Sequence, residues 1–238
     1  DTAYEEGFIA FVEKVLEPSE SNQFMEEFLP FQKQIAGYGI FNSLSQVLLK
    51  YTAPGVPDTY QGTELWDLSM VDPDNRRPVN YEQRIKLLQE IKEKAETDIF
   101  QLIEELFSTK EEGRIKLFLS YKLLQARKES LAVFQKGDYQ PLEAVGKFKE
   151  HIVAFARSFG DTMAIAIAPR FFTTLVKPGQ YPLGESIWAD TQLLMPQGIQ
   201  ATWRDAITGE TIAGNDRIAI AQILQHFPVA LLLSHPHR

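Results

Sequence analysis

The feature that most constrains this chain is a change in the spacing of its apolar residues near Phe148. Before that point the spacing is helical. Tyr4, Phe8, Phe11, Val12, Val15 and Leu16 recur at steps of three and four, which predicts an amphipathic helix ended by Pro18 and Ser19. A second helix starts at Ser21-Asn22, a capping pair, and presents Phe24, Phe28, Phe31 and Ile35, with a kink expected at Pro30. Gly37 and Gly39 are expected to break it before a third helix from Asn42 to Tyr51. Further helices are expected over residues 81–94, 98–107 and 111–127, closing at Gly137 and Pro141. After Phe148 the period becomes two. Residues 151–157 and 162–168 read as a hairpin turning at 158–161, and strands are expected over 187–194, 200–207, 211–213, 217–223 and 227–234. Thr208-Gly209 supplies a tight turn, and residues 177–184 a long loop. Helices followed by short, regularly spaced strands give an α+β chain whose second part is an antiparallel β-sandwich.

The stretch from Pro54 to Arg84 fits neither regime. Pro54 and Gly55 stop the preceding helix, and Val56 to Gln61 reads as a short strand closed by Gly62. Asp67, Asp72, Asp74, Asn75, Arg76 and Arg77 then crowd into a proline-containing loop with Trp66 at its start. A core would not accept so many charges, and a plain linker would not carry a tryptophan. Helix, strand and polar loop in that order is the pattern of an α/β unit whose chemistry lies beyond the carboxyl end of the strand.

Pro54-Gly55-Val56-Pro57 with Tyr60, Gly62 and Glu64 resembles the eighth-strand motif of the α-amylase superfamily. The continuation Gln61-Gly62-Thr63-Glu64-Leu65-Trp66, with Val71 to Val79, resembles a narrower family within it, the maltooligosyltrehalose synthases. Those enzymes turn the reducing-end α-1,4 bond of a maltooligosaccharide into an α,α-1,1 (trehalose) bond. The resemblance extends more loosely from about Phe28 to Leu233, and other hydrolases or glucanotransferases of the superfamily share the barrel-end motif.

This resemblance implies that residues 1–140 are the helical tail end of a (β/α)8 barrel with only its last strand present, and that residues 141–238 are the β-sandwich that follows. A lone parallel strand cannot satisfy its own backbone, so an upstream barrel segment is the expected partner, and without it several helix faces would lie bare. The chain opens on Asp1 rather than Met, which suggests an excised fragment. Retaining glycosidases need two carboxylates roughly 5–5.5 Å apart. In the superfamily these come from strands that precede this one, so no catalytic residue is assigned here, and the fragment alone is expected to be inactive.

Two readings of the loop stand side by side. Asp74, Asn75, Arg76 and Arg77 offer the mixed donors and acceptors that sugar hydroxyls require, and Trp66 or Tyr81 could pack on a sugar face. Alternatively the arginines pair with the loop's own aspartates. The resemblance favours substrate binding by Asp74, Asn75, Arg76, Arg77 and Trp66, with Glu64 and Tyr60 orienting groups behind them. Trp188 and Trp203 read as core, with a starch-binding surface as the alternative. His151, His226, His235 and His237 are too dispersed to suggest a metal site, and no cofactor is expected.

Composition narrows the partners. Of 32 acidic and 24 basic residues, positions 1–140 hold 24 and 16, and neither part carries the basic stripe of a nucleic-acid binder. No apolar run approaches the ~20 residues that cross a bilayer, and no signal peptide opens the chain. With no cysteine there is no disulfide, so cysteine use does not set the compartment; a reducing cytoplasm fits, and cytoplasmic placement is the expectation. A carbohydrate-binding module without chemistry is the remaining alternative.

Overall fold

The computed structural model describes residues 1–19, 21–196, 202–214 and 216–234. His235, His237 and the expected strand start at Gln200 lie outside them. The chain divides into two compact units, Asp1–Gly39 and Ile40–Arg238.

The first unit holds α1 (Thr2–Leu16) and the opening turns of α2 (Gln23–Thr52). Asp1 caps α1 by accepting from the Tyr4 amide at 3.3 Å. Asn22 ties the two helices. Its side-chain amide donates to the carbonyls of Val15 and Glu17, and its oxygen accepts from the Met25 amide. The capping position expected at Ser21-Asn22 is thus occupied by Asn22. Of the apolar stripe of α1, Tyr4, Phe8, Phe11 and Leu16 are exposed and Val12 and Val15 half-buried; Phe24, Phe28 and Phe31 of α2 are exposed too.

The sequence expectation of a break at Gly37 and Gly39 is corrected, because α2 runs unbroken through both and through Pro30. Each glycine costs a helix about 1 kcal/mol. Phe41, Leu44, Val47, Leu48 and Tyr51 bury immediately beyond them, and burying one such side chain is worth about 1.5–3 kcal/mol. Packing outweighs propensity there.

Residues 56–61 are not a strand, which corrects the second expectation. Val56 is 96% exposed, and among the described residues no strand pairs with this segment. Instead the segment leaves α2 as an extended run anchored at its start by Arg127, which donates to the carbonyls of Tyr51 (2.7 Å) and Gly55 (3.4 Å). A cation at a helix carboxyl end satisfies carbonyls that have no helical partner.

After the polar loop come α3 (Tyr81–Thr97), α4 (Ile99–Ser108), α5 (Arg114–Glu129) and α6 (Leu131–Lys136). Asn80 and Asp98 cap α3 and α4 through their side chains. Ile91, Leu102, Leu106, Ile115, Phe118 and Leu119 bury where α3, α4 and α5 meet.

The strands are β1 (Asp138–Leu142), β2 (Ala144–Val145), β3 (Ile152–Phe159), β4 (Thr162–Pro169), β5 (Gln192–Leu194), β6 (Thr202–Asp205), β7 (Thr211–Ala213), β8 (Arg217–Ala219) and β9 (Ala230–Ser234). Short helices α7 (Phe172–Leu175), α8 (Glu185–Trp188) and α9 (Ile220–Ile223) lie among them. Among the described residues one antiparallel sheet runs β1-β3-β4-β9-β6-β7 and a second runs β2-β5-β8. The β3–β4 hairpin turns at Gly160, whose φ of +57° suits glycine. The expected strands at 187–194 and 217–223 are each part helix, because Trp188 in one and Ile220, Ala221 and Ile223 in the other bury from single helical turns.

Helices and sheets are stitched together by Arg157 on β3. Its guanidinium, almost wholly buried, donates to the carbonyls of Thr52, Phe134, Gly137 and Asp138. Ser45 of α2 donates to the Pro169 carbonyl at 2.7 Å. The chain is therefore α+β, with α6 packed on β3 and β4 and the later part of α2 bonded to the same two strands.

Candidate functional site

The polar loop has a fixed root and a self-held tip. At the root, Gly62 takes a φ of +91°, and Arg84 on the first turn of α3 gathers the segment. Arg84 donates to Glu64 at 2.9 Å, to the Gly62 carbonyl at 2.7 Å and to the Asn80 carbonyl at 3.1 Å. Glu64 is thereby paired with an arginine of α3 rather than with Arg76 or Arg77.

Trp66 is half-buried beside the turn that precedes α5. Its indole N–H donates to the Lys110 carbonyl at 2.8 Å, and Lys116 Nζ lies 5.5 Å from its ring centroid while donating to the Leu65 carbonyl. Burial, and to a lesser extent Lys50, pull the Lys116 ammonium below its ordinary pKa, while Asp67 and Glu64 oppose the shift. The close approach dictates a glycine. A Cβ at Gly113 would meet the Trp66 nitrogen at 2.8 Å, and the residue has a φ of +82°.

The tip is held by its own side chains. Asp67 accepts from the hydroxyl and amide of Ser69, which keep its carboxyl below the usual range. Asp74, Asn75 and Arg76 form a single 3-10 turn. Asp74 accepts from the Met70 amide at 2.7 Å and from Arg77. Arg76 forks onto both oxygens of Asp72, at 3.1 and 2.8 Å. That bond raises the Arg76 pKa, and Tyr60 is close enough to add to the shift. The Asn75 side-chain oxygen is shielded from solvent and has no hydrogen-bond partner.

Of the residues singled out from the sequence, the structure places Asp74, Asn75 and Arg76 on one turn followed by Arg77, while Tyr60 stands before the root, where its carbonyl accepts from the Thr63 hydroxyl. It places Trp66 and Glu64 at the root. Tyr81 bridges back by donating to Gln61 at 3.1 Å. Sequence reasoning missed Arg84, Lys110, Gly113 and Lys116. The signal for Arg84 was its place one turn after the Asn80 cap; nothing marked the others, since they reach the loop only through the tertiary fold.

Chemically, the tip can exchange partners. Both ion pairs are exposed and water competes for their partners, so hydroxyl groups can replace either carboxylate or guanidinium at little cost. Trp188 and Trp203 are both buried core residues, which removes the surface alternative for each.

No protein-family model matches the chain. Its sequence is 35% identical over 195 residues to a protein of Mycobacterium tuberculosis named as a maltooligosyl trehalose synthase, covering 81% of this chain and 20% of that protein. The structure superposes on maltooligosyltrehalose synthase from Arthrobacter ramosus with a TM-score of 0.73 and 30% identity, over 99% of this chain and 27% of that one. The Sulfolobus tokodaii protein described as a hypothetical maltooligosyl trehalose synthase gives a TM-score of 0.60 at 28% identity. This chain thus spans about a fifth of the length of the curated relatives it matches.

Proposed function

We propose that this chain, a relative of the maltooligosyltrehalose synthases over part of their length, is the carboxy-terminal portion of such an enzyme, acting in the cytoplasm on maltooligosaccharides. The observation that carries the reading is the agreement in sequence and in three dimensions with those enzymes, 81% of the chain by sequence and 99% by structure. Residues 1–140 would close the catalytic barrel and residues 141–238 form the β domain behind it.

The chemistry is an intramolecular transfer. A carboxylate from an upstream strand attacks the anomeric carbon of the penultimate glucose while a carboxylic acid protonates the departing O4 of the last one. The freed glucose turns, its anomeric hydroxyl gives a proton to the same residue now acting as base, and its oxygen displaces the carboxylate. What this chain supplies is the hold on that glucose. Asp74, Asn75, Arg76 and Arg77 present donors and acceptors from a short turn between Pro73 and Pro78. Glu64, through Arg84, and Trp66, through Lys110, fix where the tip stands.

Arg76→Ala and Arg77→Ala in the intact enzyme, assayed for trehalose-capped product, free glucose and melting temperature, test this. A lost charge-assisted hydrogen bond to the turning glucose is worth about 1.5–3 kcal/mol, so isomerisation should fall tenfold or more while glucose release gains. The melting temperature should barely move, because both ion pairs are exposed. Unchanged rate and product ratio with a lowered melting temperature would make the tip structural. Glucose alone from the unmodified parent would move it to the hydrolases.

A further inference from the structure

A second feature faces solvent in the same unit. A cleft of about 310 Å³ opens between α4 and the segments around Tyr181 and Gln225, lined among others by Phe100, Glu104, Phe107, Tyr181, Gln225 and His226. Tyr181 stacks on Phe107 with centroids 4.7 Å apart, and Phe100 packs against His226 at 4.8 Å. Phe100 and Tyr181 keep more than a third of their surfaces exposed. Among the described residues that line the cleft there is no lysine or arginine and Glu104 is present, so the lining itself does not favour an anion. Aromatic faces beside an amide, a carboxylate and an imidazole instead suit a ring with one apolar face and a rim of hydroxyls.

The cleft does not stop at one ring. An adjoining cleft of about 410 Å³ shares Gln225 as a wall, and its Glu210 stands 3.5 Å from His226 of the first. Two hollows that share Gln225 as a common wall offer successive sugars of one chain a place on either side of it. Lys110 also links this region to the loop root, its ammonium lying 5.7 Å from the Tyr181 ring centroid while its carbonyl accepts the Trp66 indole.

We propose that these two neighbouring clefts hold a stretch of a neutral glucan chain away from the bond being rearranged, a role that rests on the reading of the parent as an enzyme of maltooligosaccharides. The site would favour long substrates over short ones.

The test uses the intact enzyme with maltoheptaose and maltotriose as probes. Phe100→Leu keeps apolar volume but loses the ring face, and Gln225→Ala removes the shared amide. Each should weaken maltoheptaose binding by calorimetry and raise its KM about threefold to tenfold, with maltotriose KM and kcat unchanged. Tyr181→Leu should act alike. Should it fail to fold for want of its Phe107 stack, the other two variants decide. Equal affinity of Phe100→Leu and Gln225→Ala for maltoheptaose overturns the proposal, and so does an equal loss for both probes. A parent that releases only glucose overturns the isomerase reading instead, while the difference between long and short probes still judges the clefts.

Discussion

Arginines at residue scale show how position decides what a guanidinium is for. Arg76 and Arg77 sit on the exposed tip of the loop, each engaged with one aspartate of the same turn. Arg84 is largely shielded and meets three acceptors belonging to two segments. Removing it leaves Glu64 without its partner and two carbonyls without donors. Arg84→Met in the intact protein should therefore cost about 1.5–3 kcal/mol and lower the melting temperature by several degrees, with loss of isomerisation following from a misplaced tip. Arg84→Lys should rescue little, since one ammonium cannot reproduce a planar fork across three acceptors. Thermal melts of both variants check this. A melt matching the parent would show that the Trp66 and Lys116 contacts hold the root unaided.

Between elements, Glu105 is the clearest joint. From α4 it accepts from Lys94 of α3 at 2.6 Å and pairs with Arg114 of α5 at 2.8 Å. Lys94 first and then Arg114 hold its carboxyl below the ordinary 4.5. A depressed native pKa means the unfolded chain binds the proton more readily. The contribution of Glu105 is thus complete above pH 4.5 and lost as the pH falls through the lower, native value. Glu105→Gln should lower stability at neutral pH and flatten the acid limb of a stability–pH curve measured by urea melts. A parallel curve for the variant would remove Glu105 from the joint.

The elements also show what a sequence makes visible. Apolar spacing was enough for α1, α3, α4 and α5, each an uninterrupted amphipathic run, and for the β3–β4 hairpin. It failed at Gly37 and Gly39, where burial of residues further along α2 outweighs local preference. It failed at residues 56–61, where a strand-like run has no strand to pair with. β1 was missed because Gln140-Pro141 does not read as a strand, though an edge position tolerates a proline. In the loop, the polar tip was legible because its residues are contiguous. Its root was not, because Lys110, Gly113 and Lys116 meet Trp66 only after α5 has docked.

Over the molecule as a whole, the bare apolar surface is the dominant fact. Tyr4, Phe8 and Phe11 of α1, Phe24 and Phe31 of α2, and Val56, Leu68, Met70 and Val71 around the loop all face solvent. Surfaces of this kind are normally covered. On the proposed function the cover is the upstream barrel segment, so the 27.1 kDa chain expressed alone should self-associate in light scattering and show no turnover of maltopentaose. Adding the upstream portion as a separate polypeptide should reduce the association. A monodisperse monomer at high concentration would mean that these faces need no partner.

Arg157 sets a rule for anyone who would take the protein apart. Its guanidinium collects carbonyls from the end of α2 and from the junction of α6 with β1, so two stretches of chain converge on one buried cation carried by a third. A scissor placed between helices and strands, however natural the seam looks in one dimension, would strand that cation among vacated acceptors. A protease nick near residue 140 should therefore leave two pieces that travel together through a column under native conditions, and a gene boundary drawn there should yield two insoluble halves rather than two modules.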